Sequence, residues 1–327
     1  MESAFLSRLI ELFHLRQIAV ATVYSLAIFG ALFVLIYLLE WRQGADRSRY
    51  TSRTFLCDVG YAFFYRGQIY TVFVLSLILG LIEPYLRFLK LDLINYVPAP
   101  LAYVSWWITF DFFGYWMHRA QHHSRVLWAF HSVHHAPQEL NFLQSYRLHV
   151  VEQLIANLVM YVPALLIGMP AQIILPVYMV QVFFESVQHA ELNWRYGPLY
   201  RVIVSPVFHA FHHSAERRHY DRNFGKVLSV WDFVFGTAVE REPRPARFGI
   251  DGYQIPESLV QQFLSPFRYL RKRPASTPAI APATTTAPVQ TVPVQTVPVR
   301  TAPVRTATVR TATATPADAS AAPHTAG

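Results

Sequence analysis

The chain has 327 residues, of which 53% are hydrophobic, 15% aromatic and only 15% charged. An average soluble domain carries about 25% charged residues, so this composition argues against an ordinary soluble enzyme and predicts an integral membrane protein. The net charge of +8 is spread along the chain instead of forming one basic face, which argues against nucleic acid as a partner. The single cysteine, Cys57, excludes an intrachain disulfide and a cysteine-built metal site.

The apolar runs predict membrane helices. The first run, Ile18 to Leu39, is long enough to cross a bilayer, and no signal-peptidase site follows it. We therefore expect it to remain as an N-terminal span. The later runs predict two helical hairpins, which gives an all-α protein with four to five membrane helices. These later runs are residues 69–86, 98–117, 150–168 and 171–187.

The arginines predict how the chain is oriented. More arginines follow the first span (Arg42, Arg47, Arg49, Arg53 and Arg66) than precede it (Arg8 and Arg16). The positive-inside rule then places residues 40–68 in the cytoplasm. Each hairpin returns the chain to that side, so we expect a multi-pass protein with a helical cap in the cytoplasm.

The histidines are the main functional signal. Eight of the 14 histidines form three clusters, and residues three and four apart share one face of a helix. Neutral imidazole is the commonest metal ligand, and eight imidazoles are too many for one tetrahedral ion. We therefore predict a site for two metal ions in the cap. The clusters are His118 with His122, His131 with His134 and His135, and His209 with His212 and His213.

Further candidates lie beside these clusters. His189 follows Glu185 by one turn, which predicts His189 as a ninth ligand and Glu185 as a ligand or a partner of one. Asp111 shares a helical face with His118, and two roles stay open for it: a partner for a ligating histidine, or a polar anchor for another helix. For His149, the roles of ligand and ligand partner are both open.

Ligand chemistry narrows the metal. Sites built from imidazole suit iron, copper or zinc. The sequence has no HExxH motif, which argues against a zinc-dependent membrane hydrolase. A non-catalytic metal-binding membrane protein is a further alternative, and histidine spacing by itself leaves the reaction open.

Several motifs carry a family resemblance. They are DFFGYWMHR at 111–119, LWAFHSVHH at 127–135, RLH at 147–149, QHA at 188–190, the histidines at 209–213, DRNFG at 221–225 and WDFVFGT at 231–237. With these motifs in this order, the chain resembles the fatty acid hydroxylase/sterol desaturase superfamily. Two positions differ from the family pattern: Val150 replaces a proline after His149, and Phe224 replaces a common tyrosine.

The resemblance implies a membrane-bound, non-haem di-iron oxidoreductase with histidine boxes. Such an enzyme uses two iron ions, O2 and external electrons to hydroxylate or desaturate a lipid or sterol from the bilayer, and we slightly favour hydroxylation. The sequence has no GxGxxG fingerprint for NAD(P), so we expect a separate electron-transfer partner, a reductase with a ferredoxin or cytochrome. The implied metal ligands are His118, His122, His131, His134, His135, His189, His209, His212 and His213.

The predicted organisation has four parts. Residues 1–95 form an N-terminal membrane region, 96–245 a fatty acid hydroxylase-like catalytic domain, and 246–273 a C-terminal helical extension. Residues 274–327 are rich in proline, threonine and alanine and repeat PVQTV and PVRTA. Such a composition cannot bury a core, so we expect a disordered tail.

Overall fold

Helices make up the regular secondary structure that can be described. The computed structural model describes residues 15–168, 171–239, 242–251, 256 and 258–271, and only the backbone of residues 15, 99 and 171–178. In this part of the chain, the strand-like pairings are two isolated bridges. The predicted all-α class is confirmed. The α-helices are α1 (Leu15–Arg42), α2 (Arg53–Arg66), α3 (Ser76–Leu86), α4 (Ala99–His123), α5 (Arg125–His135), α6 (Val150–Ile167), α7 (Ala171–His189), α8 (Pro206–His212), α9 (Val230–Val234) and α10 (Leu259–Arg271).

Three helical stretches are long and apolar enough to cross a membrane. They are Arg16–Arg42, Thr71–Leu89 and Val150–Ile167, with mean hydropathies of 2.4, 1.9 and 1.8. Their side chains point outward: Phe73, for example, is 72% exposed, and Val23 is 66% exposed. Apolar surface of this extent needs a lipid cover. The chain is an integral membrane protein, as its composition predicts.

The other two apolar runs also form helices. Residues 98–117 lie in α4 and 171–187 in α7, but neither helix is among the three spans found in the described residues. The total of four to five membrane helices therefore stays a prediction. Helix α4 continues past the end of its apolar run to His123. It ends there because the next residue, Ser124, accepts a hydrogen bond from the backbone N–H of Leu127 and caps α5.

A buried 3-10 turn, Phe142–Tyr146, packs between the helices that carry the histidines. Phe142 and Leu143 belong to one core with Val133 of α5 and Val187 of α7. This core joins α5 to α7, the helices that carry His131, His134, His135 and His189.

A buried ion pair fixes the loop that precedes α6. Arg147 donates through Nε to Asp58 of α2 at 2.5 Å and through a terminal nitrogen to the carbonyl oxygen of Thr54 at 2.8 Å. The second carboxylate oxygen of Asp58 accepts from Asn141 at 2.8 Å. Both charges are buried, so each needs these partners. The pair thereby joins α2 to the start of α6.

The predicted cap after residue 189 contains fewer helical residues than expected. Helices α8 and α9 are short, and turns connect them. Polar side chains in this segment, such as those of Asn223 and Asp232, bind backbone groups of nearby residues, which favours turns over long helices. Helix α10 packs on α5 through Phe267 and Phe130, with ring centroids 5.5 Å apart. The predicted tail lies outside the described residues, and the predicted domain boundaries and the membrane side of the cap stay predictions.

Candidate metal centre

Four helices bring the nine predicted histidines to one place. Helix α4 supplies two from one face, α5 supplies three, α7 ends at His189, and α8 with the residue after it supplies three. The nine imidazoles form two adjoining groups, in which the ring nitrogens of each group lie within 4.8 Å of one another.

The five-histidine group consists of His118, His122, His131, His135 and His212. The Nε2 atom of His135 lies 3.2 Å from Nε2 of His122 and 3.1 Å from Nε2 of His131. The rings of His118 and His212 have centroids 4.3 Å apart. All three histidine clusters of the sequence are represented by the five rings.

The four-histidine group consists of His134, His189, His209 and His213. The Nε2 atom of His189 lies 3.2 Å from Nε2 of His134 and 3.0 Å from Nε2 of His209. Nε2 of His213 is 3.1 Å from that of His209. The ring of His213 lies 4.4 Å from that of His135, so the two groups are neighbours.

Backbone carbonyls determine which ring nitrogen carries the hydrogen. A carbonyl oxygen only accepts, so an Nδ1 atom bonded to one must be protonated, and Nε2 then keeps its lone pair. In His118 and His212, Nε2 is buried and has no hydrogen-bond partner. The three Nδ1 donors are His118 to Phe224 (2.8 Å), His212 to Arg222 (2.8 Å) and His189 to Glu185 (2.7 Å).

Two carboxylates face the Nδ1 atoms of other histidines in the five-histidine group. Glu152 accepts from Nδ1 of His131 at 2.6 Å, and its own position is fixed by Gln121 at 3.0 Å. Asp221 lies 3.4 Å from Nδ1 of His122. A carboxylate behind a histidine orients the ring and makes Nε2 a stronger donor to a metal.

Burial keeps these imidazoles uncharged. Desolvation lowers the pKa of the five-histidine group below 6.5, with a further decrease from the neighbouring rings for His118 and His135. It also lowers the pKa of His134, His209 and His213. The rings are therefore neutral at pH 7, the form that binds metals.

These features fit metal ions better than a hydrogen-bonded cluster. Neutral rings whose Nε2 atoms lie 3.0–3.2 Å apart can share one hydrogen in each pair. The buried Nε2 atoms of His118 and His212 have no hydrogen-bond partner at all, and a cation would satisfy their lone pairs. The two groups have the donor type and the number of nitrogens for one metal ion each.

A turn after α8 supplies two of the carbonyls. Asp232 holds the turn by accepting from the backbone N–H of Phe224 at 2.8 Å and of Gly225 at 2.7 Å, and from Thr237 at 2.6 Å. A side chain at Gly225 would come within 2.6 Å of the carbonyl oxygen of Leu228. The DRNFG and WDFVFGT motifs thus form one unit that positions His118 and His212. The ring of Phe224, which replaces a tyrosine, is fully buried against the five-histidine group.

The structure places His149 outside both groups. It is the N-cap of α6, where Nδ1 accepts from the backbone N–H of Val151 at 3.1 Å and Nε2 contacts the carbonyl oxygen of Phe263 at 3.1 Å. Both ring nitrogens are therefore engaged by the backbone. The backbone N–H of His149 donates to Glu152 at 3.3 Å, and Glu152 in turn accepts from His131.

Asp111 and Glu185 do not place their carboxylates on a histidine. Asp111 accepts from the backbone N–H of Val227 at 2.8 Å and from the indole of Trp231 at 2.8 Å. It therefore anchors the segment that contains these two residues to α4. The carboxylate of Glu185 lies 3.5 Å from the ammonium group of Lys226, and its backbone carbonyl is the group that meets His189.

The sequence reasoning missed Glu152, Asp221 and Asp232. Glu152 had a local signal, because it stands three residues after His149 at the start of an apolar run, the spacing of a capping box. Asp221 and Asp232 lie in the quoted family motifs, but their contacts depend on how the turn folds back on α4.

A cavity of about 220 Å³ opens onto both histidine groups. It is lined by His118 and His131 of one group and by His134, His189 and His209 of the other. It continues between α4, α6 and α7 to Trp107 and Met160. Trp107 lies eleven residues before His118 on α4, about 16 Å along the helix axis. The cavity therefore extends from the histidines along α6, one of the three candidate membrane spans.

The comparison with known families agrees with this centre. The family model described as fatty acid hydroxylase matches residues 103–237, the segment that holds all nine histidines. This segment belongs to the fatty acid hydroxylase family. The resemblance to the fatty acid hydroxylase/sterol desaturase superfamily is thereby confirmed.

Curated relatives match part of the chain. The ornithine lipid hydroxylase OlsE of Rhizobium tropici is 31% identical over 158 residues, 47% of each chain. The human alkylglycerol monooxygenase is 31% identical over 156 residues, 46% of this chain and 34% of its own. A very-long-chain aldehyde decarbonylase, GL1-6, of Oryza sativa subsp. japonica is 26% identical over 138 residues, 39% of this chain and 21% of its own. The chain thus spans less than half the length of these relatives. No solved structure matches it.

Proposed function

We propose that this protein is a di-iron lipid hydroxylase of the membrane, which uses O2 and external electrons. The observation that carries the proposal is the cavity that reaches both groups of neutral histidines and continues along α6, a candidate membrane span. A metal carrier or sensor would not need a cavity that extends from its ligands toward the bilayer.

The relatives support hydroxylation over the alternatives. Their names describe a lipid hydroxylase and a monooxygenase that acts on an alkylglycerol. Imidazole ligands suit iron, copper or zinc, and iron fits oxidation by O2 where zinc does not. The balanced reaction converts a C–H bond, O2, two electrons and two protons into a C–OH group and water.

The residues of this chain have separate roles in the proposal. The five-histidine group would hold one iron and the four-histidine group the other, and the two ions would supply the redox chemistry of O2 reduction and C–H oxidation. Glu152, Asp221 and the carbonyls of the 221–225 turn keep the ring nitrogens oriented. Residues of α4, α6 and α7 enclose the cavity and admit the lipid from the bilayer.

We further propose that the centre faces the cytoplasm and receives electrons from a separate carrier. The arginines after the first span support this orientation. The chain has no NAD(P) fingerprint, and we propose a reductase with a ferredoxin or cytochrome as the source of the two electrons per turnover.

The test is metal analysis and lipid analysis of the same purified protein. We expect two iron ions per chain, and with reductant and O2 a lipid product 16 mass units heavier, as one added oxygen requires. Stoichiometric zinc without iron, or hydrolysed lipid instead, would contradict the proposal.

A pair of histidine variants tests the ligand assignment. We expect His134→Ala to lose metal and activity, because it removes a nitrogen from the four-histidine group. The matched control is His123→Ala: His123 is exposed and bonds the carbonyl oxygen of Arg119, outside both groups. His134→Ala with full metal content and activity would refute the assignment.

A further inference from the structure

We propose that Lys226 is a specificity-determining residue that binds an uncharged oxygen of the lipid substrate, such as an ether, ester or hydroxyl oxygen. The proposal rests on the function proposed above, because it concerns the cavity that serves the two histidine groups. It adds that the oxidised carbon lies within a few bonds of a polar group.

The position of Lys226 is fixed on several sides. Its aliphatic stem lies against Gly114 of α4, where a Cβ atom would come within 3.0 Å of the Lys226 Cδ. Its ammonium group lies 3.5 Å from the carboxylate of Glu185, which also accepts from Gln181 at 3.0 Å. Its carbonyl oxygen accepts from Gln188 at 2.5 Å. All of these residues line the cavity.

Lys226 and Glu185 lie close to the histidines. Gly114 precedes His118 by four residues, and Glu185 precedes His189 by four, so both are one helical turn away, about 6 Å along the axis. Lys226 lines the same cavity as His118 of one group and His134 of the other.

The hydrogen-bonding capacity of the pair points to an acceptor on the substrate. An ammonium group has three donors, and in the described part of the chain the one side chain that accepts from it is Glu185. The carboxylates of Asp111 and Glu152, which also line the cavity, are occupied by their own donors. Glu185 already balances the charge of Lys226, so an uncharged oxygen fits better than an anion.

The rest of the cavity suits the chain of the same lipid. Beyond the pair, the wall includes Trp107, Phe110, Ala156 and Met160. An alkyl chain can lie against these residues while its polar group stays at Lys226. This arrangement places carbons near the polar group, and not the distant end of the chain, beside the histidines.

The experiment compares binding of two probes to the full chain in lipid nanodiscs. The probes are 1-O-hexadecylglycerol, which has ether and hydroxyl oxygens, and hexadecane, which has none. We expect Lys226→Met to raise the Kd for hexadecylglycerol about tenfold, because a hydrogen bond to a charged donor is lost, and to leave the Kd for hexadecane unchanged. The matched control, Lys90→Met, removes a 63% exposed lysine and should change neither value.

A second variant covers the case in which Lys226→Met does not fold. Gly114→Ala keeps the charge but displaces the lysine stem, and should weaken hexadecylglycerol binding in the same direction. An unchanged ratio of the two Kd values in both variants would overturn the role of Lys226. Turnover and iron content of the wild type are measured in parallel: failure there refutes the di-iron function, whereas a lost probe preference in the variants supports the binding role independently.

Discussion

At the scale of single residues, the centre depends on imidazoles that are held neutral and turned in one direction. Burial makes the charged form costly, and the carbonyl oxygens of Phe224, Arg222 and Glu185 accept the hydrogen of Nδ1. The Nε2 atoms of these three rings consequently keep their lone pairs for a ligand.

The lowered histidine pKa values predict how stability depends on pH. A histidine with a folded pKa below 6.5 takes up a proton on unfolding, so stability falls as the pH drops below 6.5 toward the folded value. We expect the Tm of the metal-free protein to fall by roughly 5 °C or more between pH 7.5 and 5.5, since several histidines act together. Asp232, with a pKa raised to about 6 by burial, opposes this weakly.

Thermal unfolding in detergent measures this dependence. Addition of ferrous iron at pH 7.5 should raise the Tm, because the ligands bind only in the folded state. A Tm that stays constant from pH 7.5 to 5.5 would contradict the neutral, buried state of the rings.

A second residue-scale prediction concerns Gly225. In Gly225→Ala the new methyl group would come within 2.6 Å of the carbonyl oxygen of Leu228 and 2.9 Å of the Asp232 carboxylate. The turn must then move, and with it the carbonyls that orient His118 and His212. We expect metal affinity to fall by about 10- to 100-fold, the usual effect of losing such partners. The measurement is competitive metal titration against a chelator.

The control for Gly225 is another glycine. Gly30→Ala in α1 adds a methyl group with no atom within 4 Å, so its metal affinity should equal that of the wild type. Equal affinities in both variants would show that the turn does not position the ligands.

At the scale of elements, helix α4 and the first turn of α6 connect the membrane helices to the histidine groups. Helix α4 carries Asp111, Gly114 and His118 on successive turns of one face. The helix therefore fixes the spacing between the residue that binds the backbone of Val227, the contact with Lys226 and the metal ligand. Helix α6 begins with His149 as its cap and Glu152 behind His131. The Asp58–Arg147 pair holds that start against α2.

This buried pair gives a stability prediction. Arg147→Met leaves the Asp58 carboxylate buried without its cation, which costs about 3–5 kcal/mol of unfolding free energy. Arg218→Met is the control, because Arg218 is 63% exposed in its pair with Glu216 and should cost less than about 1 kcal/mol. Denaturant unfolding in detergent micelles compares the two variants, and equal losses would contradict the structural role of the pair.

At the scale of the whole molecule, the sequence by itself determined the class of protein and the set of histidines. The apolar runs are longer than a soluble core needs, and histidines three and four residues apart share a helical face however the helices pack. Both features are therefore local properties of the sequence. The motifs likewise identified the family, since the fatty acid hydroxylase match covers the same residues, 103–237.

The tertiary structure alone decided how the histidines divide and what supports them. His135 and His134 are adjacent in sequence but fall in different groups, because neighbouring helical positions point in different directions. Glu152 contacts His131 across 21 residues and Lys226 contacts Glu185 across 41, and no local pattern encodes contacts at such distances. Such contacts exist only once α4, α6, α7 and the turn after α8 pack around one cavity.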